Sequence, residues 1–149
     1  MVRRTIVAWC LSSALVVSGC SSFEAEWLAA KTPDPPEGSL AGAWEGRWIS
    51  ESSGHDGGLR CIITETEQGV YDAWYEATWR FLFVFSPEYT LPMEVTQEER
   101  VYRFVGECNL GWFLGTYRYS GEATDTHFTA NYTTANDHGS FEMERVLSQ

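Results

Sequence analysis

The chain is poor in positive charge: ten Lys and Arg stand against 21 Asp and Glu, a formal net charge of −11. Nucleic-acid binding draws its affinity from cationic side chains that neutralise phosphates, so that class of function is excluded. Flat adsorption onto anionic lipid is disfavoured for the same reason. Histidine is scarce, with three residues, and the four cysteines include no C-x-x-C pair. There is no glycine-rich phosphate loop and no Ser/His/Asp arrangement in a recognisable context. The sequence therefore leans away from an enzyme and implies no cofactor. Sustained helical periodicity is nearly absent as well. The one long apolar run, Ile6 to Val17, is broken only by Ser12 and Ser13. It is shorter than the roughly 20 residues that a membrane-spanning helix needs.

That run follows Arg3 and Arg4 and leads into Val17-Ser18-Gly19-Cys20. A positive start, a short apolar core and small residues before a cut site describe an export signal, which takes no part in the fold. The four residues resemble the lipobox of bacterial lipoproteins. The resemblance implies cleavage before Cys20 and acyl chains on its thiol, with palmitate and a diacylglyceryl group among them. Two or more chains anchor a protein stably where one is marginal. It also implies a place in the bacterial cell envelope. Ser21 lacks the aspartate that marks inner-membrane retention, so the outer membrane facing the periplasm is favoured where the cell has one. The 130 residues from Cys20 onward make one domain's worth of chain. Without Arg3 and Arg4 their net charge is −13.

The sequence divides into a signal at 1–19, a lipidated and flexible tether at 20–41, and a domain at 42–149. The tether is rich in proline (Pro33, Pro35, Pro36), which favours extended backbone. Before the prolines, Phe23 to Ala30 reads as a short helix whose Phe23 and Trp27 dock on the domain or meet the lipid interface. Cys10 leaves with the signal and Cys20 carries lipid, so Cys61 and Cys108 remain. An even pair in an oxidising compartment is a possible disulfide; two separate buried thiols are the alternative.

From Ala43 the pattern alternates with the period of half-buried strands. Trp44, Gly46 and Trp48 share one parity, then Leu59, Cys61 and Ile63. Tyr71, Ala73, Tyr75, Ala77, Trp79, Phe81, Phe83 and Phe85 follow, with a bend expected near Thr78 to Arg80. Leu91, Met93 and Val95 come next, with Pro92 marking an irregular or edge position. Then come Tyr102, Phe104, Gly106 and Cys108; Phe113, Gly115, Tyr117 and Tyr119; Phe128, Ala130 and Tyr132; and Phe141, Met143 and Arg145. Small residues alternating with large ones on one face suit a narrow, curved interior. Short links between consecutive strands favour antiparallel neighbours. The fold class is therefore all-β, an antiparallel up-and-down barrel of about eight strands.

Two features resemble the lipocalin, or calycin, superfamily: the opening Gly42-Ala43-Trp44, and Arg145 on the inward parity of the last strand. The resemblance implies that Arg145 lies across Trp44 and closes one end of a lipocalin-like barrel. Fold alone does not give function. A barrel of this size is either filled by side chains or holds one small ligand. The aromatic parity favours a filled interior; in the alternative, Trp48, Tyr71, Tyr75, Trp79, Phe104, Tyr117, Phe128 and Tyr132 line a cavity for an apolar ligand.

One constellation could carry chemistry. In an up-and-down barrel the first and last links emerge at the same end, bringing His55-Asp56 near Asp137-His138. Two imidazoles and two carboxylates suit zinc or acid/base work, although these residue types are also ordinary turn formers. The reading that follows is a lipid-anchored barrel that binds an envelope protein partner through its surface. The alternatives are a carrier of a small apolar ligand and a metal-dependent or acid/base enzyme. If Cys20 is the anchor, Cys20→Ala moves the protein from the membrane to the soluble fraction of fractionated cells; a variant still bound to membrane contradicts the assignment.

Overall fold

A computed structural model describes residues 22–35, 37–79 and 88–148. Cys20 and the lipobox lie outside the described residues, as do Phe81, Phe83 and Phe85 with the second half of the long strand expected there. Eight strands run in chain order: β1 (Gly42–Ser50), β2 (Asp56–Glu67), β3 (Val70–Ala77), β4 (Glu88–Glu98), β5 (Val101–Asn109), β6 (Thr116–Ala123), β7 (His127–Thr133) and β8 (His138–Val146). Every consecutive pair is antiparallel, and β8 returns to pair with β1, which closes the barrel. Two short helices accompany it, α1 (Phe23–Ala30) and α2 (Gly111–Leu114). The all-β, up-and-down barrel expected from the alternation is the fold. None of the described helices is long and apolar enough to cross a membrane.

The inward parity is the one the sequence marks. On β7, Phe128, Ala130 and Tyr132 are buried while their neighbours are exposed. Trp44, Cys61, Tyr75, Met93, Phe104, Tyr119, Phe128, Phe141 and Met143 join in one core. Glycine sits where a ring needs space. A Cβ on Gly121 would stand 2.7 Å from the Phe104 ring, and one on Gly106 would stand 2.2 Å from the Tyr119 ring. The ladder between β4 and β5 is short, with register pairing from Glu94↔Val105 to Glu98↔Val101. Pro92 lies just past the end of that ladder and has no N–H to extend it. Its carbonyl accepts instead from the Tyr119 hydroxyl at 3.0 Å.

One end of the barrel is shut. The guanidinium of Arg145 lies 4.4 Å from the centre of the Trp44 ring. It donates to the carbonyls of Ala41 (2.7 Å), Ser39 (2.8 Å) and Asp125 (2.7 Å). Burial lowers its pKa, yet an arginine so far above neutrality stays charged. The Trp44 indole donates to the Leu40 carbonyl at 3.0 Å, and Leu40 is fully buried. Residues 39–41 are thus strapped across the closed end.

Helix α1 occupies the place assigned to it, capped by the Ser22 side chain, which accepts from the Ala25 N–H. Phe23 and Trp27 are buried against Ala43 and Ile62, on the outer face of β1 and β2. Phe23 also meets Trp74 of β3 edge-on at 5.1 Å, and Arg60 bonds Glu24 and Glu76 while lying over both rings. Burying each of those rings is worth about 2–3 kcal/mol. Part of the segment expected as flexible tether is therefore packed on the barrel wall.

Arg145→Ala would orphan three carbonyls and strip the cover from Trp44. It should lower unfolding stability by about 3 kcal/mol in a urea melt and release residues 31–41 to rapid amide exchange. A loss within experimental error would show that the strap does not hold the closed end.

Candidate functional site

The links β1–β2, β5–β6 and β7–β8 emerge at the other end of the barrel, where β3 ends and β4 begins. Beneath them lies a cavity of about 280 Å³. Its walls are Trp48 of β1, Leu59 of β2, Tyr75 and Ala77 of β3, and Leu91 of β4, with Tyr132 of β7 and Phe141 of β8 across from them. Leu110 and Tyr117 flank α2, while Thr134 and Asp137 form the rim. The lower part of the barrel is filled: Phe104 stacks on Phe128 at 4.3 Å and Phe128 on Phe141 at 6.0 Å. The upper part is hollow. Tyr117 and Tyr132 stack at 5.5 Å, while Tyr75 and Phe141 meet edge-on at 5.7 Å. The first pair sits on neighbouring strands, β6 and β7, and the second joins β3 to β8 across the interior.

At this level the aromatic set divides. Trp48, Tyr75, Tyr117 and Tyr132 line the cavity. Tyr71, Phe104 and Phe128 belong to the packed core below it. Trp79 stands at the rim, 47% exposed, with the His55 ring edge-on at 4.8 Å. Leu59, Ala77, Leu91, Leu110 and Thr134 are lining residues that the aromatic pattern did not mark. The inward alternation on β2 to β4 carried the signal for the first three; nothing in the sequence separated the cavity level from the filled one.

Two polar features stand out. The Tyr75 hydroxyl is buried and has no oxygen or nitrogen partner among the described residues; the Cys61 thiol and the Tyr117 and Tyr119 phenols are near it. Burial pushes the Tyr75 phenol and the Cys61 thiol well above their ordinary pKa values, so both stay protonated at neutral pH and the thiol is unreactive. A phenol kept out of water without a partner costs about 1–3 kcal/mol. Asp137 is the second feature. It accepts from the Ser50 hydroxyl at 2.5 Å and the Tyr132 hydroxyl at 3.0 Å. Burial would raise its pKa, but these bonds, with others from Ser52 and the His138 backbone, hold it below the usual value of 3.8. It ties the first link to the last and orients a lining phenol.

Those two links do meet, but not as a metal site. His138 Nδ1 is bonded to the Ser52 hydroxyl at 2.8 Å, Asp137 is occupied as described, and Asp56 begins β2 opposite Ile49. His55 faces Trp79 instead of its expected partners. Among the described residues no group of three or more His, Cys, Asp or Glu is placed to hold a metal ion. Turn chemistry explains these residues: Ser50 and Asp137 staple the two links together. Nor is the possible disulfide formed, since Cys61 and Cys108 are both free thiols. They project from β2 and β5, which the strand order separates by β3 and β4.

No protein-family model matches the chain, and no curated protein does. Among solved structures it is similar to a redesigned β-barrel, mFAP1, bound to DFHBI. That match has a TM-score of 0.48 and 14% identity, and covers 71% of this chain and 94% of that one. It is also similar to a mutant of the fluorescent protein UnaG, with a TM-score of 0.40 and 10% identity over 74% of this chain and 97% of that one.

Because the folded pKa of Asp137 is depressed, its stabilisation is complete above the ordinary carboxylate value and disappears as pH falls through the lower folded value. Asp137→Asn should cost about 1–3 kcal/mol at neutral pH. In paired urea melts the gap to wild type should narrow as pH falls below the ordinary carboxylate range. A gap independent of pH would contradict the role given to the carboxylate.

Proposed function

We propose that this protein is a lipid-anchored envelope barrel that binds one small, neutral, largely apolar ring compound in the cavity at its open end. The observation that carries the reading is the apolar cavity with Tyr75 in its wall, a residue whose hydroxyl is sealed from water and without an oxygen or nitrogen partner among the described residues. At about 280 Å³ the space sits at the lower edge of the ~300–1,000 Å³ of small-molecule sites. A small shift of the Tyr75 ring would turn its hydroxyl toward a ligand's hydroxyl or carbonyl and supply the missing hydrogen bond, while the ligand's rings cover Leu59, Leu91 and Phe141.

Charge narrows the class. Among the described residues no Lys, Arg or His lines the cavity, and Asp137 is the one lining carboxylate. A carboxylate ligand would lose its hydration with no cation to replace it, which is expensive in an apolar site. Neutral molecules are favoured over fatty acids and other anions. The Cys61 thiol is buried and protonated and Asp137 is held by Ser50 and Tyr132, which supports carriage as the reading. The cavity also favours carriage over the other reading of the sequence, a surface that binds an envelope protein.

Fluorescence titration with 2-naphthol tests this. Saturable binding should appear for the naphthol and not for 2-naphthoate. Tyr75→Phe should weaken it about tenfold, the equivalent of one hydrogen bond of roughly 1.4 kcal/mol. Ala77→Phe should block it by filling the space. No saturable binding of either probe, or tighter binding of the naphthoate, would overturn the proposal.

A further inference from the structure

The protons of the cavity's polar groups are largely spoken for. The Trp48 indole N–H donates to the Thr78 carbonyl at 3.2 Å. The Thr134 hydroxyl donates to the Asp137 carbonyl at 3.2 Å. It also accepts from the Asn136 and Asp137 N–H groups, at 3.3 and 2.9 Å, so it is fully occupied. The Tyr132 hydroxyl gives its proton to the Asp137 carboxylate at 3.0 Å. All three side chains line the cavity, and none has a proton left for a guest.

Tyr132 differs from the other two in what remains. A hydroxyl has one donor and two acceptor sites, so its oxygen keeps lone pairs and nothing to donate. Donation to an anion polarises the phenol and makes that oxygen a stronger acceptor. Asp137 cannot reverse the bond, because its carboxyl is held ionised below the usual range. The carboxylate itself is crowded by Ser50 at 2.5 Å, by Ser52 and by the His138 backbone. Tyr75 makes a different demand. Its hydroxyl has no oxygen or nitrogen partner among the described residues, so it can give or take a hydrogen bond. Tyr75 stands on β3 and Tyr132 on β7, four strands apart in a closed ring of eight, and thus on opposite sides of the bore.

We propose that the ligand bridges these two phenols, and that its group at Tyr132 is a hydroxyl or an N–H. The class is thereby narrowed to neutral ring compounds with polar groups at opposite ends, at least one of them a donor, such as ring diols and amino-hydroxy aromatics. This rests on the ligand reading above and sharpens it. An ether or ketone at the Tyr132 end would meet that oxygen lone pair to lone pair and leave both acceptors unpaired. A compound with a single hydroxyl, placed at Tyr75, is a weaker occupant because the acceptor across the bore stays unused.

The test is a fluorescence titration of three probes, 2-naphthol, 2,6-dihydroxynaphthalene and 2,6-dimethoxynaphthalene. The diol should bind about tenfold tighter than 2-naphthol, the equivalent of one added hydrogen bond. The dimethoxy compound has the same two oxygens and no donor, and should bind no tighter than 2-naphthol. In Tyr132→Phe, which keeps the bond between Ser50 and Asp137, the advantage of the diol should vanish. A diol no tighter than 2-naphthol overturns the bridging inference and leaves the ligand reading standing. So does a dimethoxy compound that matches the diol, or an advantage that survives Tyr132→Phe. The wild-type series decides the matter even where the variant fails to fold. Absence of saturable binding by all three probes overturns the ligand reading, and this inference with it.

Discussion

The contact on which the rest depends is the guanidinium of Arg145 laid over the Trp44 ring. It joins the last strand to the first and gathers three carbonyls, two of them from the strap at residues 39–41. A cation half-removed from water is tolerable only with such partners. In return the arrangement seals one end of the barrel with charge, indole and strap together. The remaining geometry follows: a sealed end makes the interior one-ended, and the chain preceding the strap packs on the outer wall as α1.

Why the interior is only half full is a matter of residue size at each level. Near the sealed end large rings face glycines, Phe104 against Gly121 and Tyr119 against Gly106, so the rings reach across and meet. Toward the open end the inward positions are Ala77, Leu59 and Leu91, with Tyr117 stacked on Tyr132 of the neighbouring strand. Tyr75 of β3 meets Phe141 of β8 across the interior, yet the space beside them stays open. The result is an apolar cavity beside one phenol that is unsatisfied among the described residues, a combination a folded protein keeps at a cost. Occupancy by a polar-tipped neutral molecule would remove that cost.

Much of the fold was legible. The period-two alternation placed the inward face of every described strand, and the turn residues placed most of the links. Residues 111–114 are an exception: Phe113 continued an alternation that the chain breaks with α2, because Gly111 and Gly115 both adopt positive φ and interrupt the strand. The proximity of the first and last links was also foreseeable from topology. Its meaning was not, since Asp and His in a turn look alike whether they bind a metal or staple a neighbouring serine. The thiols misled for a related reason: parity says that Cys61 and Cys108 both point inward, and says nothing of the strands between them. Cavity against filled core is the least legible distinction. It depends on how far each ring reaches across the barrel, a property of three-dimensional packing that a face pattern does not encode.

The account stands or falls on what occupies the open end. A crystal structure of the mature domain grown with 2-naphthol is the most direct measurement. The account predicts density for the ring system between Leu59, Leu91 and Phe141, with the naphthol oxygen at hydrogen-bond distance, about 2.7–2.8 Å, from the Tyr75 hydroxyl. An open end filled by the protein's own side chains, with Tyr75 bonded to one of them, would contradict it.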